Sequence, residues 1–368
     1  MTQTQAVRSP RAGPIAALLS AALFGLSAPL AKGLLASARP QLLAGLLYLG
    51  SGGGLALVWL GRHLLHRATH AAGAAESHVL ERPLGRADVP WLVGAYLTGG
   101  VLGPLLLLEG LARTPASTTA LLLNLEGVCT ALLAWTIFRE HAHRRIVAGM
   151  ALIVAGGLVL SWEGRAGWSG ALGPLAIAGA CLCWGLDNNL TQRVSAGDPV
   201  QIAALKGLIA GTVNLGIALA LGSTLPRPSL VLGALALGLV SYGLSLVLFI
   251  RGLRLLGTAR TGAYYSTAPF LGAAGAVVLR GEPVTGPLLA GGALMAAGVW
   301  LHLTERHAHF HGHEAVTHTH RHTHDDPHHA HVHAPGTPAD AEHAHEHTHA
   351  PLTHEHPHYP DLHHRHGH

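Results

Sequence analysis

Charge is what this sequence has least of. Its 368 residues hold 23 Lys and Arg and 19 Asp and Glu, only 11% charged, beside 49% hydrophobic residues. A soluble chain runs near about 25% charged, so an ordinary soluble enzyme is excluded and an integral membrane protein is indicated. Apolar segments recur along the whole chain, which a secretory signal alone does not explain. Cysteine is scarce too: Cys129, Cys181 and Cys183 all sit in apolar runs, excluding a disulfide framework and a CxxC zinc site. There is no GxxxxGK[ST] loop and no HExxH or GxSxG motif. The chain therefore carries no ATPase of its own, and an enzyme is not expected.

What remains is hydrophobic and periodic. A helix needs about 20 apolar residues to cross roughly 30 Å of hydrocarbon. Ten stretches qualify: 13–33, 41–60, 89–112, 116–137, 145–162, 170–190, 200–222, 229–250, 260–280 and 284–303. The breaks carry Pro, Gly or charge, as at Arg39-Pro40, Arg113-Thr114-Pro115 and Leu225-Pro226-Arg227-Pro228. With the N-terminus inside, cytoplasmic segments hold 14 Lys and Arg against 6 outside. That bias sets the orientation and returns the C-terminus to the cytoplasm. The expected location is a bacterial plasma membrane, with the bilayer as a partner. Residues 1–304 carry 20 basic and 10 acidic residues, a surplus read as topology and not as nucleic-acid binding.

The two halves are related. Phe24-Gly25-Leu26 in the first span matches Trp184-Gly185-Leu186 in the sixth, and Glu140, Gly149, Leu152, Ala155 and Gly156 match Glu282, Gly291, Leu294, Ala297 and Gly298 at a constant offset of 142. A repeat of five spans is odd-numbered, so the second copy enters from the opposite face. The expected fold is thus an all-α polytopic membrane protein of ten transmembrane helices in two inverted five-helix repeats, with a disordered C-terminal tail. Its parts are a cytoplasmic N-terminus (1–12), a first repeat (13–162, with a histidine-containing loop at 61–88), a second repeat (163–304) and the tail (305–368). Inverted repeats are common in secondary transporters, whose substrate sites lie near the midplane between halves. Gly207-Leu208-Ile209-Ala210-Gly211 is a GxxxG and signals close helix packing.

The segment Leu132–Glu140 followed by Gly149 and Gly156, and its second copy from Ala268-Pro269-Phe270-Leu271 through Arg280-Gly281-Glu282 to Gly291 and Gly298, resemble the drug/metabolite transporter superfamily, specifically its EamA-type members. The resemblance covers roughly residues 12–304 and is nearly silent on substrate. It departs at Gly127, where members often carry a proline in the fourth span; Glu126 precedes it. EamA-type proteins often move amino acids or other metabolites, and relatives with histidine-rich tails are associated with nickel and cobalt resistance. The resemblance to that branch implies Ni²⁺ or Co²⁺ export.

A charge at the bilayer centre costs about 2.5–3.5 kcal/mol on insertion scales, so such residues face the protein interior or a wet cavity. The candidates are Glu126, Asp187 and Lys206, with Glu109 nearer an end. Asn124, Asn188 and Tyr264 are candidate oxygen ligands beside them, and Cys129 or Cys183 could add softer ligation. One reading is a midplane cation site on Glu126 and Asp187, exchanging metal for protons. The other has Lys206 paired with one acid and the asparagines bonding between helices.

The tail holds 23 of the 30 histidines. It has too few large apolar residues to bury a core. Its histidines alternate: His307, His309, His311 and His313; His318, His320, His322 and His324; His343, His345, His347 and His349. In an extended chain, alternate residues share a face. Neutral imidazoles suit Zn²⁺, Ni²⁺, Co²⁺ and Cu²⁺. A second capture patch is read at His63, His66 and His70 after the second span. The expected function is export of a divalent transition metal (Ni²⁺ or Co²⁺, or Zn²⁺) by proton antiport, with the tail capturing metal. No resident cofactor is expected, the metal being substrate or tail ligand, and a homodimer is a candidate assembly. The alternatives are an EamA-type exporter of amino acids or other small metabolites with a metal-buffering tail, and a membrane-anchored metal reservoir or sensor.

Overall fold

A computed structural model of the chain describes residues 12–71, 85–137, 144–162, 168–192, 194, 198–256, 258–304, 308–313, 316–322, 343–349 and 352–357. The chain divides into two units, one of residues 1–68 and 82–304, the other of 69–81 and 305–368.

The first unit is helical. Its helices are α1 (Ala12–Gly25), α2 (Ser27–Leu34), α3 (Pro40–Ala71), α4 (Val89–Ala95), α5 (Gly103–Arg113), α6 (Ala116–Leu122), α7 (Leu125–Thr136), α8 (Arg144–Ser161), α9 (Trp168–Gln192), α10 (Pro199–Ala220), α11 (Pro228–Gly238), α12 (Ser245–Leu256), α13 (Thr258–Tyr265), α14 (Ala268–Arg280) and α15 (Gly286–Leu303). Among the described residues, nine helical segments are long and apolar enough to cross a membrane. They begin with Ala12–Leu34 and end with Gly286–Leu303, and a shorter apolar helix lies at Ala268–Arg280. The ninth expected span is broken into α13 and α14 at Ser266-Thr267, where Pro269 lacks the amide a continuous helix needs. The expected loop at 61–88 starts late, because α3 continues to Ala71. It carries His63, His66 and His70 on its last turns.

Large apolar side chains face outward along these spans, such as Leu57, Leu158 and Val278 at 72%, 68% and 79% exposure. In water such a surface would be a liability; in hydrocarbon it is the required one. Trp91, Trp135 and Trp162 are exposed near span ends, where indoles settle at the membrane–water interface.

Packing follows the small residues. α8 lies against α15, α5 and α7 against α9, α1 against α12 and α14, and α14 against α6. In the α8–α15 pair, a Cβ on Gly298 would stand 2.6 Å from the Gly149 carbonyl oxygen, and one on Gly291 3.0 Å from that of Gly156. The reverse holds as well: Cβ atoms on Gly149 and Gly156 would stand 2.8 Å from the carbonyl oxygens of Gly298 and Gly291. Only glycine permits this approach.

Two segments wind more loosely, as π-helix: Tyr96–Leu102 between α4 and α5, and Leu239–Leu244 between α11 and α12. Such turns leave carbonyls free for side-chain donors and occur at functional positions.

In the second unit, the described tail residues form β1 (Ala308–His313), β2 (Val316–His322), β3 (His343–His349) and β4 (Leu352–Pro357). β1 pairs antiparallel with β4, and β2 with β3. Where the sequence predicts a disordered tail, these stretches are paired strands. His307 and His324 lie outside the described residues, as do Glu140, His141 and His143.

Candidate functional site

The polar residues meet where α7, α9 and α10 come together with the first π-helical segment. Lys206 on α10 forms an ion pair with Asp187 on α9. Asp187 is 4% exposed, and Thr191 one turn later donates to its other oxygen at 3.2 Å. Gly99 leaves the room this carboxylate occupies; any side chain there would collide with it.

Glu126 opens the first turn of α7. Asn188 donates to Glu126 Oε1 at 3.0 Å and to Thr130 Oγ1 at 3.2 Å. Asn189 donates to the Thr130 carbonyl at 3.2 Å and the Gly185 carbonyl at 2.8 Å. The α7–α9 seam is thus zipped by amides around one carboxylate. Glu126 lies within electrostatic reach of Asp187 and Lys206. Asn188 is exposed and Glu126 half-buried.

The π-helical segment closes the other side. The Gly99 carbonyl accepts from Tyr48 Oη at 3.0 Å and Trp184 Nε1 at 2.9 Å. The Gly100 carbonyl accepts from Asn214 Nδ2 at 3.0 Å. From Tyr48 a row of rings runs across the bundle: Tyr48–Tyr242 at 6.0 Å, Tyr242–Phe24 at 5.9 Å, Phe24–Tyr265 at 5.7 Å and Tyr265–Phe249 at 4.8 Å between centroids. Tyr48 and Tyr265 both lie within electrostatic reach of Glu126.

Of the residues predicted from sequence, Glu126, Asp187, Asn188 and Lys206 are brought together. Asn124 is buried at the break between α6 and α7, where it donates to the Leu121 carbonyl at 2.8 Å. Tyr264 offers its backbone carbonyl to Thr267, while its neighbour Tyr265 enters the ring row. Cys181 is buried with its thiol toward the Leu122 carbonyl at 3.7 Å, and Cys129 and Cys183 are free and half-buried. Glu109 pairs with Arg113 and accepts from Gln41 at 2.8 Å. Sequence reasoning missed Tyr48, Trp184 and Tyr242, and took Tyr265 only as a further hydroxyl beside Tyr264. Trp184 was signalled by its place beside the repeated Gly185; the tyrosines had only mid-span polarity to mark them. Among the described residues, no group of three His, Cys, Asp or Glu is placed to hold a metal ion.

One end of the bundle is fastened by charge. Lys32 donates to the Leu111, Ala112 and Thr114 carbonyls at the end of α5. Glu282 accepts from the Ala116 and Ser117 amides at 2.8 and 2.9 Å. Burial would raise the Glu282 carboxyl, but the bonds from Ser117 and Ala116 and the Arg280 charge outweigh it and hold it below the usual carboxylate range.

A helical bundle with a lipid-facing surface and a guarded polar centre defines a multi-pass membrane transporter. The sequence model of the EamA-like transporter family matches residues 11–162 and again 171–304. The chain belongs to that family. It is 30% identical over 300 residues to a protein of Methanothermobacter thermautotrophicus described as an uncharacterized transporter, covering 78% of this chain and 85% of that one. It is 27% identical over 208 residues to a probable amino-acid metabolite efflux pump of Salmonella typhimurium, covering 51% of this chain and 68% of that one. A solved crystal structure superposes with a TM-score of 0.54 at 22% identity, over 78% of this chain and 95% of its own; that likeness concerns the fold alone.

Proposed function

We propose that this chain is a secondary transporter exporting small metabolites that carry an ammonium group, amino acids foremost, from a bacterial cytoplasm in exchange for protons. The observation that carries the reading is the Asp187–Lys206 ion pair beside an amide-held Glu126. Glu126 accepts from Asn188 through Oε1, and its other oxygen, with no bond among the described residues, would take an ammonium. Lys206 can share its charge with a substrate carboxylate. A zwitterion therefore meets one group of each sign, and the row of rings offers apolar surface and cation–π contact alongside. Protonating Glu126 from outside would release the ammonium, which couples export to proton entry.

Export of Ni²⁺, Co²⁺ or Zn²⁺ is the weaker reading. A bare dication at this centre would face Lys206, and Asp187 is already engaged by it. The amino-acid efflux assignment of the Salmonella relative favours the metabolite alternative as well.

We place both termini in the cytoplasm on the Lys and Arg bias, and we arrange the spans as two inverted repeats. The family match in two copies supports the repeat, as does the reciprocity at the α8–α15 seam. There Gly149 meets Gly298 and Gly156 meets Gly291. The offset of 142 makes these the same contact made twice, which is what a two-fold relation produces.

The test is transport in proteoliposomes under a pH gradient, with labelled amino acids and, in parallel, a Ni²⁺-sensitive dye. Gel filtration confirms that each variant is folded. Amino-acid flux that collapses in Glu126→Gln is the expected result. Metal flux without amino-acid flux in the parent chain would overturn the reading.

A further inference from the structure

An apolar groove runs along the outside of the first unit between α14 and α15, away from the polar centre. The two helices follow one another across the five-residue turn 281–285. Helices joined so closely usually pack as antiparallel neighbours. Here each packs elsewhere: α14 on α6, α1 and α2, and α15 on α8. The turn and the glycines account for the divergence. Gly281 reverses the chain with φ +66°. Glu282 accepts from the Ala116 and Ser117 amides and so ties the turn to α6. Gly291 and Gly298 hold α15 against α8 instead.

The space left between them is about 380 Å³, and every lining side chain is apolar. α14 contributes Phe270, Ala274 and Val277, and α15 contributes Leu289, Ala293 and Ala296. Both sets are spaced i, i+4, i+7, which places each on one helix face. The buried Leu121 of α6 forms the floor. A Cβ on Gly292 would stand 3.4 Å from Leu121 Cδ1, so glycine there keeps the groove deep.

We infer that this groove is a binding site for one acyl chain of a membrane phospholipid, with the lipid phosphate at Arg280. Its volume is the room of roughly a dozen groups the size of water or a methylene, most of an acyl chain. An apolar cavity gains nothing from water, and an empty one forfeits dispersion contacts on its lining. Lipid tails are as apolar as Leu, so no hydrophobic force draws α14 and α15 together to close it. A helix of a second copy is too thick to enter: at about 10 Å across, even a 10 Å length takes roughly 800 Å³. The end of the groove is also basic. Arg280, beside the turn, is exposed, while the neighbouring Glu282 is already engaged by two amides. The site stands whether or not the transport reading does.

The experiment is native mass spectrometry of the full chain purified in a mild detergent. After washing that strips bulk lipid, the parent should retain one phospholipid. Ala274→Leu/Ala293→Leu fills the groove from two exposed positions, and its retained fraction should fall at least on the order of tenfold, since the chain loses its room. Arg280→Gln should lower retention about fivefold, the contribution of one basic side chain at an anionic membrane surface. No lipid on the parent, or equal retention in the filled variant, would overturn the site. A dimer that the filled variant abolishes would make the groove an interface between copies and overturn it too. A second measurement uses the parent alone, so that a misfolded variant cannot mislead. The delipidated chain is titrated with dioleoyl phosphatidylglycerol and, in parallel, with glycerol 3-phosphate. The unfolding temperature should rise and saturate with the phospholipid only. An equal rise with glycerol 3-phosphate would mean an anion site without a chain site, and a rise that never saturates would mean a bulk solvent effect; either result overturns the proposal.

Discussion

Removing the ammonium from Lys206 tests the centre most sharply. In Lys206→Met the Asp187 carboxylate, 4% exposed, keeps Thr191 as a donor but loses its counter-charge. Breaking a buried pair from one side costs about 3–5 kcal/mol, because an uncompensated charge stays behind. Replacing both partners costs far less, since neither charge is then stranded. Lys206→Met/Asp187→Asn should therefore recover most of the loss. Equilibrium unfolding in mixed micelles of SDS and a mild detergent measures all three variants, and a double-mutant cycle gives the coupling. The coupling should exceed about 2 kcal/mol, below the one-sided loss because some water reaches Lys206. Additive single effects with no coupling would refute the reasoning and reduce the pair to a chance contact.

Other consequences follow from the same geometry. Gly298→Ala drives a Cβ to 2.6 Å from the Gly149 carbonyl; it should destabilise the fold by about 1–3 kcal/mol, as overpacking does, read by the same unfolding assay. Glu282→Gln should lower stability at neutral pH, because the Ala116 and Ser117 amides lose a charged acceptor. The Glu282 carboxyl is held below its usual range in the fold, so its contribution is present above the unfolded carboxylate value, about 4.3, and is lost as pH falls through the folded one. Parent and variant should therefore converge in acid, and a pH-independent gap would count against this cap. Trp184→Phe should weaken transport more than stability, because it removes one of two donors to the Gly99 carbonyl while keeping a ring; equal effects on both would argue that the π-helical segment is only structural.

The spans were legible because a bilayer imposes length and apolarity on each helix separately, with no need to know its neighbours. Glu126, Asp187 and Lys206 were legible for a related reason: a charge in hydrocarbon is costly enough to declare itself. Their pairing was not. Lys206 and Asp187 lie 19 positions apart on different helices, and only the packing of α9 on the π-helical segment and of that segment on α10 decides that they meet. Tyr265 was passed over for Tyr264 because the break at Ser266-Thr267 sets which side of α13 faces the bundle. The tail histidines were read as rows, since alternation is local; which rows face each other depends on register, which is not.

Symmetry and chemistry are distributed differently over the chain. The glycines that seat α8 on α15 recur in both halves, and the π-helical segments start 143 residues apart, at Tyr96 and Leu239. The charged centre does not recur: the position 142 residues beyond Glu126 is Ala268, and the one beyond Gly127 is Pro269. On the proposed repeat and function, the duplicated parts would let two halves rock against each other, and the unduplicated parts would recognise the ligand. An asymmetric centre suits an asymmetric substrate. A bare metal ion presents the same charge to every side and gains nothing from a carboxylate facing an ammonium. A zwitterion has two ends of opposite sign, and Glu126 and Lys206 provide one group for each.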